Sequence, residues 1–221
     1  MICHKHKCIF IHLQRTGGTF IERDIFRINT WGSNPNINIQ KHLSAAHAKI
    51  LYKDYWNDYF KFTIIRDPWA RIYSLVKKFP EMTIDRLNGK ILNSLTNYSK
   101  KITYNEIPFE IDSRFFSIAE EVEKFDLKKS QMYSNMIGDE MDLILNYDHL
   151  KEELPILLEK INVKFDLNSV IVPTQSYEDY FTEETKNIIF EMHKDELSKF
   201  DFEFGKGKIN NNVNERHINA G

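Results

Sequence analysis

The segment that most restricts the fold is Cys8-Ile9-Phe10-Ile11-His12-Leu13, followed without a spacer by Gln14-Arg15-Thr16-Gly17-Gly18-Thr19. A short, nearly continuous apolar run of this kind reads as a strand buried on both faces, as strands are in parallel sheets. The two adjacent glycines then demand a tight loop. Phe20-Ile21-Glu22-Arg23-Asp24-Ile25-Phe26 resumes with apolar residues at helical spacing. Strand, glycine loop and helix in this order open a βαβ unit, whose next strand lies parallel to the first.

That next strand is expected at Lys61-Phe62-Thr63-Ile64-Ile65-Arg66. Asp67 and Pro68 follow as N-cap and first helical residue of a helix running from about Trp69 to Phe79 and stopping near Pro80. A third strand is expected over 141–147, with a helix from about Leu150 to Ile161 after it. Ser169 to Pro173 reads as a short extended segment. Thr182 caps a long last helix, with Glu183 and Glu184 in its first turn, that reaches about Lys199. Shorter helices are expected from His42 to Tyr52 and from Ser113 to Phe125, and a loop over 29–40. Strands alternating with helices imply an α/β domain with a central parallel sheet covered on both faces.

A chain of 221 residues suits one domain. We expect that domain over 1–204, with 81–130 as a helical insert on the substrate side and 205–221 as a polar, Asn-rich disordered tail. Lys plus Arg is 30 and Asp plus Glu is 32, a formal charge of −2. That balance argues against a nucleic-acid partner, so any bound anion must be held by a local site. The only two cysteines, Cys3 and Cys8, cannot build a secreted disulfide framework. No apolar run is long enough to cross a membrane. The N-terminus lacks the core and cleavage site of a signal peptide, so the expected location is cytoplasmic. Abundant Asn, Ile and Lys point to an AT-rich genome and a microbial source.

Two stretches carry chemistry. In Arg15-Thr16-Gly17-Gly18-Thr19 the glycines let backbone N–H groups turn towards a ligand, and the helix N-terminus adds partial positive charge. Arg15 adds a full charge and a fork of donors, and Thr16 and Thr19 add hydroxyls. This suits a phosphate or a sulfate; an ordinary strand–helix turn is the alternative. It is not a Walker loop, because G-x-x-x-x-G-K-[ST] is absent and the cation precedes the glycines. In Arg66-Asp67-Pro68-Trp69-Ala70-Arg71-Ile72-Tyr73-Ser74, Arg66 ends a strand, where ligands of open α/β sheets bind. Ser74 lies two turns into the next helix, so the two can converge on one anion. Alternatively, Arg66 pairs with a surface carboxylate and Ser74 faces a neighbouring helix.

Taken together, the two stretches resemble the sulfotransferases that use 3′-phosphoadenosine 5′-phosphosulfate (PAPS). Residues Ile9 to Thr19 look like that family's 5′-phosphosulfate loop, and Phe62 to Pro68 with Arg71 and Ser74 look like its 3′-phosphate motif. The carbohydrate branch that includes the heparan sulfate 2-O- and 6-O-sulfotransferases is the most similar. Weaker likeness continues at Ser130-Gln131, at Tyr147-Asp148-His149-Leu150, and at Asp195 with Phe200-Asp201-Phe202. The resemblance implies a P-loop-like, three-layer α/β domain that moves a sulfuryl group from PAPS to a hydroxyl of a glycan or a small acceptor, with no metal. It implies Arg15, Thr16, Gly17, Gly18 and Thr19 at the 5′ end of PAPS, and Arg66 and Ser74 at the 3′-phosphate.

Two departures matter. Arg15 stands where the family usually has Lys; it supplies charge and hydrogen bonds but is a poor general acid. The leaving group is a phosphate of low pKa, for which electrostatic stabilisation suffices. Thr174-Gln175-Ser176 replaces the usual Asn-x-Ser. For the base that deprotonates the acceptor, His42 matches the position of a catalytic His in the 2-O branch better than His47 does. An exposed or capping role is the alternative for both. His12 is a further candidate for orienting the ligand. Two other classes stay open: a kinase-like nucleotide phosphotransferase, and a non-catalytic protein that binds nucleotide or glycan. Cys3, His4, His6 and Cys8 match no zinc spacing, and the Lys residues among them oppose a cation; a frayed tail entering the strand fits them better. The near-neutral chain favours a neutral or lightly charged glycan as acceptor.

Overall fold

A computed structural model describes residues 1–27, 43–78, 133–172 and 176–208. Four strands form one sheet in the order β1 (Ile2–Cys3), β2 (Cys8–Ile11), β3 (Phe60–Ile65) and β4 (Leu143–Asn146). The strands β2, β3 and β4 run parallel, as the βαβ pattern requires, and β1 adds an antiparallel edge. The N-terminus is thus paired with the sheet, where the sequence suggests a frayed tail. The reason is local: the Met1 amino group donates to the Phe10 carbonyl at 2.7 Å, and the Phe10 N–H donates to the Met1 carbonyl at 2.8 Å.

Register follows from side chains as well as the ladder. Phe10 faces Phe62 across β2 and β3, and their rings stack at 4.9 Å. On the other side, the Asp142 carboxylate accepts the Lys61 backbone N–H at 2.6 Å and pairs with the Lys61 ammonium at 3.0 Å. That clamp sits just before β4 and sets where it begins.

Alternate strand residues enter opposite cores. Cys8, Phe10, Phe62, Ile64, Leu143 and Leu145 pack beneath Ile21, Ile25, Leu154 and Leu157. Ile9, Ile11 and Ile65 face Trp69, Tyr133, Leu197 and Phe200. The first core is covered by α1 (Gly18–Phe20) with a π turn over Ile21–Ile25, and by the helix Leu150–Lys160. On the second side lie Ala45–Leu51, Pro68–Lys78, Tyr133–Ile137 and the long helix Glu183–Phe200. The result is a mixed α/β fold with a mostly parallel sheet flanked by helices.

Helix ends follow the expected chemistry. The Asp67 carboxylate accepts the Ala70 N–H at 2.8 Å, and Pro68 opens the helix Pro68–Lys78. The Thr182 hydroxyl accepts the Thr185 N–H at 3.2 Å and caps Glu183–Phe200, which kinks at His193. The regular helix expected over 20–26 is instead widened, with the Phe26 N–H reaching back five residues to the Ile21 carbonyl. Residues 205–208 of the expected tail complete a hairpin, in which Phe202–Glu203 pairs with Gly207–Lys208. Phe202 and Phe204 anchor it by packing on the second core. The 81–130 insert, the 113–125 helix and residues 209–221 lie outside the described residues. Among the described residues no helix is long and apolar enough to cross a membrane.

Phe62 is fully buried and stacked on Phe10, so Phe62→Ala is expected to lower the unfolding free energy by about 3–5 kcal/mol. Denaturant unfolding measures it; a loss under about 1 kcal/mol would contradict the packing described.

Candidate functional site

The site lies where the parallel strands end. Residues Gln14 to Thr19 leave β2 as a loop in which Arg15 (φ 64°) and Gly17 (φ 85°) both take the left-handed conformation. Gly17 accepts this without the strain a side chain brings. It also has no room for one: a Cβ there would meet the Tyr147 ring at 2.7 Å. Gly18 has ordinary φ but is equally hemmed in, since its Cβ would fall 2.1 Å from the His12 ring. The double glycine therefore has two separate causes, and neither partner ring is adjacent in sequence.

The two sequence stretches meet at Arg15. Its Nη2 donates to the Ser74 hydroxyl at 2.8 Å and to the Ser74 carbonyl at 3.1 Å, and its Nε donates to the same hydroxyl at 3.2 Å. The Ser74 hydroxyl accepts there and keeps its own proton to donate. Arg66 comes to the loop from the end of β3, its Nη1 donating to the Arg15 carbonyl at 3.4 Å. Arg71 joins them by donating from Nε to the Gln14 carbonyl at 2.9 Å. Arg15, Arg66 and Ser74 are thus brought together. Thr16 turns its hydroxyl inward, donating to the Leu13 carbonyl at 3.0 Å, so this hydroxyl serves the loop's own shape. Thr19 lies in α1.

Two close guanidiniums set the electrostatics of the place. Burial pushes the Arg15 guanidinium down from its usual value, and neighbouring Arg66 adds to the shift. Arg66 is 6% exposed, and its Nε makes no hydrogen bond among the described residues. A buried donor without a partner is costly unless something accepts from it. Two guanidiniums that raise each other's energy are relieved by an anion near both. Acidic groups lie close by: Asp148 is pushed up by burial and pulled down by Arg66, and accepts the Asp67 N–H. Beside Arg66 opens a cavity of about 810 Å³ lined in part by Asp67, Asp148, Lys151, Tyr177 and Lys206.

Several supporting roles are not legible in the sequence. Tyr147 carries the Arg66 guanidinium over its ring at 4.4 Å. The parallel register pairs Ile65 with Asn146, so Arg66 and Tyr147 leave their strands side by side; paired strand ends were the signal available. The Tyr133 phenol donates to the Arg66 carbonyl and accepts its N–H at 3.2 Å. Nothing in the polar surroundings of Tyr133 announces this. Glu22 bonds His12 at 2.8 Å, both buried. Tyr177 donates to the Asp67 carboxylate at 3.0 Å and accepts the Gly205 N–H at 3.1 Å, tying the hairpin to the Arg66 turn.

His42 lies outside the described residues, as do Ser130, Gln131 and residues 173–175. His47 stands in the helix Ala45–Leu51. Among the described residues no group of three or more His, Cys, Asp or Glu is placed to hold a metal ion.

Comparison with known proteins gives one finding: the family model described as the sulfotransferase family matches residues 1–186. Searches of curated proteins and of solved structures gave no match. The matched residues contain the loop, both arginines and Ser74.

Burial pushes the Asp67 carboxyl up to about 7, although hydrogen bonds from Ala70 and Tyr177 pull it down. Unfolded, the same group titrates near 3.8. Between those values the folded chain holds a proton that the unfolded chain has released, so this contribution to stability falls as pH rises through the window. Asp67→Asn keeps an acceptor for the helix cap and removes the titration. The wild-type minus D67N difference in unfolding free energy is expected to fall from about pH 4 to about pH 7 and then level off. A flat difference across that range would contradict the assignment.

Proposed function

The chain belongs to the sulfotransferase family, and from that premise we propose that it transfers the sulfuryl group of PAPS to a hydroxyl of a carbohydrate or related acceptor. The observation that carries the reading is the meeting of Arg15, Arg66 and Ser74 at one loop, with the buried Arg66 Nε left to find its acceptor. One multiply charged donor with phosphates at two ends would satisfy both cations, which repel each other without it. The neighbouring cavity gives room for its nucleoside. On this reading the sheet is the middle layer of a P-loop-like, three-layer domain.

PAPS supplies an activated sulfuryl group on a phosphate that leaves readily. Arg15 and the N–H groups of residues 16–19 hold the 5′-phosphosulfate and the negative charge that gathers on the leaving phosphate. Arg66 and Ser74 hold the 3′-phosphate, Ser74 by the proton that its bond from Arg15 leaves available. Tyr147 keeps Arg66 in place through its ring face. His42 accepts the proton of the acceptor hydroxyl. No metal is needed in this scheme, because fixed cations and loop donors carry the charge.

Calorimetry and thermal shift test the donor. PAPS is expected to bind and to raise the melting temperature, and ATP to do so far less; ATP binding without PAPS binding would overturn the reading in favour of a phosphotransferase. Arg66→Ala is expected to weaken PAPS about 30-fold or more, the cost of removing a buried charged contact. It is expected to weaken adenosine 5′-phosphosulfate, which lacks the 3′-phosphate, much less, by the lost brace on the Arg15 carbonyl alone. Equal loss of both ligands would contradict the role given to Arg66. His42→Ala is expected to lower transfer from labelled PAPS to glycan acceptors and to spare PAPS binding.

A further inference from the structure

We propose that His12, held by Glu22, is a positioning residue that sets the backbone of the anion-binding loop by filling the place of a side chain at Gly18. The proposal rests on the donor reading above, since the loop is taken to face the 5′ end of PAPS.

His12 leaves the end of β2 two residues before the loop, and Glu22 follows the loop in the π turn. The imidazole Nδ1 lies 2.8 Å from the Glu22 carboxylate, with side-chain exposures of 4% and 2%. The chain's two arms are thereby clasped beneath residues 14–19. On one side the imidazole stacks on Phe10, centroids 5.3 Å apart and planes 18° apart. Its Cδ2–Nε2 edge is turned to Gly18, where an added Cβ would sit 2.1 and 2.2 Å from those two atoms.

A purely space-filling wedge needs no carboxylate. Burying Glu22 costs desolvation that an apolar pair avoids. What the polar pair adds is direction: stacking on Phe10 fixes the plane of the ring, and the bond to Glu22 fixes its rotation within that plane. Together they fix which edge meets Gly18. The widened turn over Ile21–Ile25 places Glu22 inside for this contact. Loop donors held in advance need no reorganisation when charge develops in front of them, so the clasp acts on the donor through the Gly18 backbone and not by contact.

The test has a donor-free arm and a donor arm. Gly18→Ala is expected to lower the melting temperature of the wild type and to cost much less in a His12→Ala background, where the ring is gone. Additive penalties would overturn the wedge. In the donor arm, calorimetry compares PAPS with adenosine 3′-phosphate, which lacks the 5′ group. His12→Ala is expected to weaken PAPS about tenfold or more and adenosine 3′-phosphate less than about twofold. His12→Asn, which keeps a donor near the Nδ1 position, is expected to recover part of the loss. Equal loss of both ligands, or no loss of either, would overturn the positioning role. Should His12→Ala fail to fold, the isosteric Glu22→Gln is read in the same way. A wild type that binds neither ligand overturns the donor reading, and with it the role toward PAPS, whereas the melting comparison still decides the wedge.

Discussion

Two rings occupy the space that side chains at positions 17 and 18 would need, and the site is arranged around that exclusion. Tyr147 fills it from β4, and His12 fills it from the end of β2. Because both rings come from strand ends, the loop is registered to the sheet by contact with two different strands. Tyr147 does a second thing with the same ring: its face carries the Arg66 guanidinium. A displacement of Tyr147 therefore disturbs the loop and the second cation at once. The short loop is not a free turn whose glycines happen to be flexible. It is a turn pressed between neighbours, at a backbone conformation that glycine alone accepts without strain at position 17.

The charge arrangement depends on the same packing. A net charge of −2 gives no global pull on an anion. Arg15 and Arg66 are instead held close by Ser74, by the Arg15 carbonyl and by Tyr147, at positions where burial already disfavours the Arg15 charge. Asp67 and Asp148 lie close by, both raised by burial, and Asp67, pushed up to about 7, offsets the arginines less than a fully ionised carboxylate would. Positive charge is thus concentrated at the loop within an otherwise balanced molecule. In the proposed function, the donor's two charged ends are what this region accommodates.

Much of this was legible in the sequence, for identifiable reasons. The strands at Cys8–Ile11 and Phe60–Ile65 could be read because buried parallel strands are apolar almost throughout. The helix Pro68–Lys78 could be read because Asp67 and Pro68 are a strong start signal. Arg15 and Arg66 could be singled out because they stand at strand ends, where ligands of α/β sheets bind, and Ser74 because it lies two helical turns on from Arg66. The edge strand at Ile2–Cys3 was hidden because two residues carry no periodicity. The hairpin at 202–208 was hidden because its anchor, Phe202 and Phe204 on a distant core, is non-local. Tyr133, Tyr147 and Glu22 were hidden for the same reason: an aromatic or acidic residue looks alike whether it faces solvent or supports an arginine.

The amino-acid sequence by itself determined the order of strands and helices, the helix starts, the glycine loop and the identity of the cations, because these rest on local periodicity, capping and backbone freedom. The tertiary structure alone decided that Arg15 reaches Ser74 across 59 residues, that Tyr147 lies under Arg66, and that His12 and Glu22 close beneath Gly18. Those contacts depend on which strands become neighbours and in what register, and that is set by burying both faces of the sheet at once.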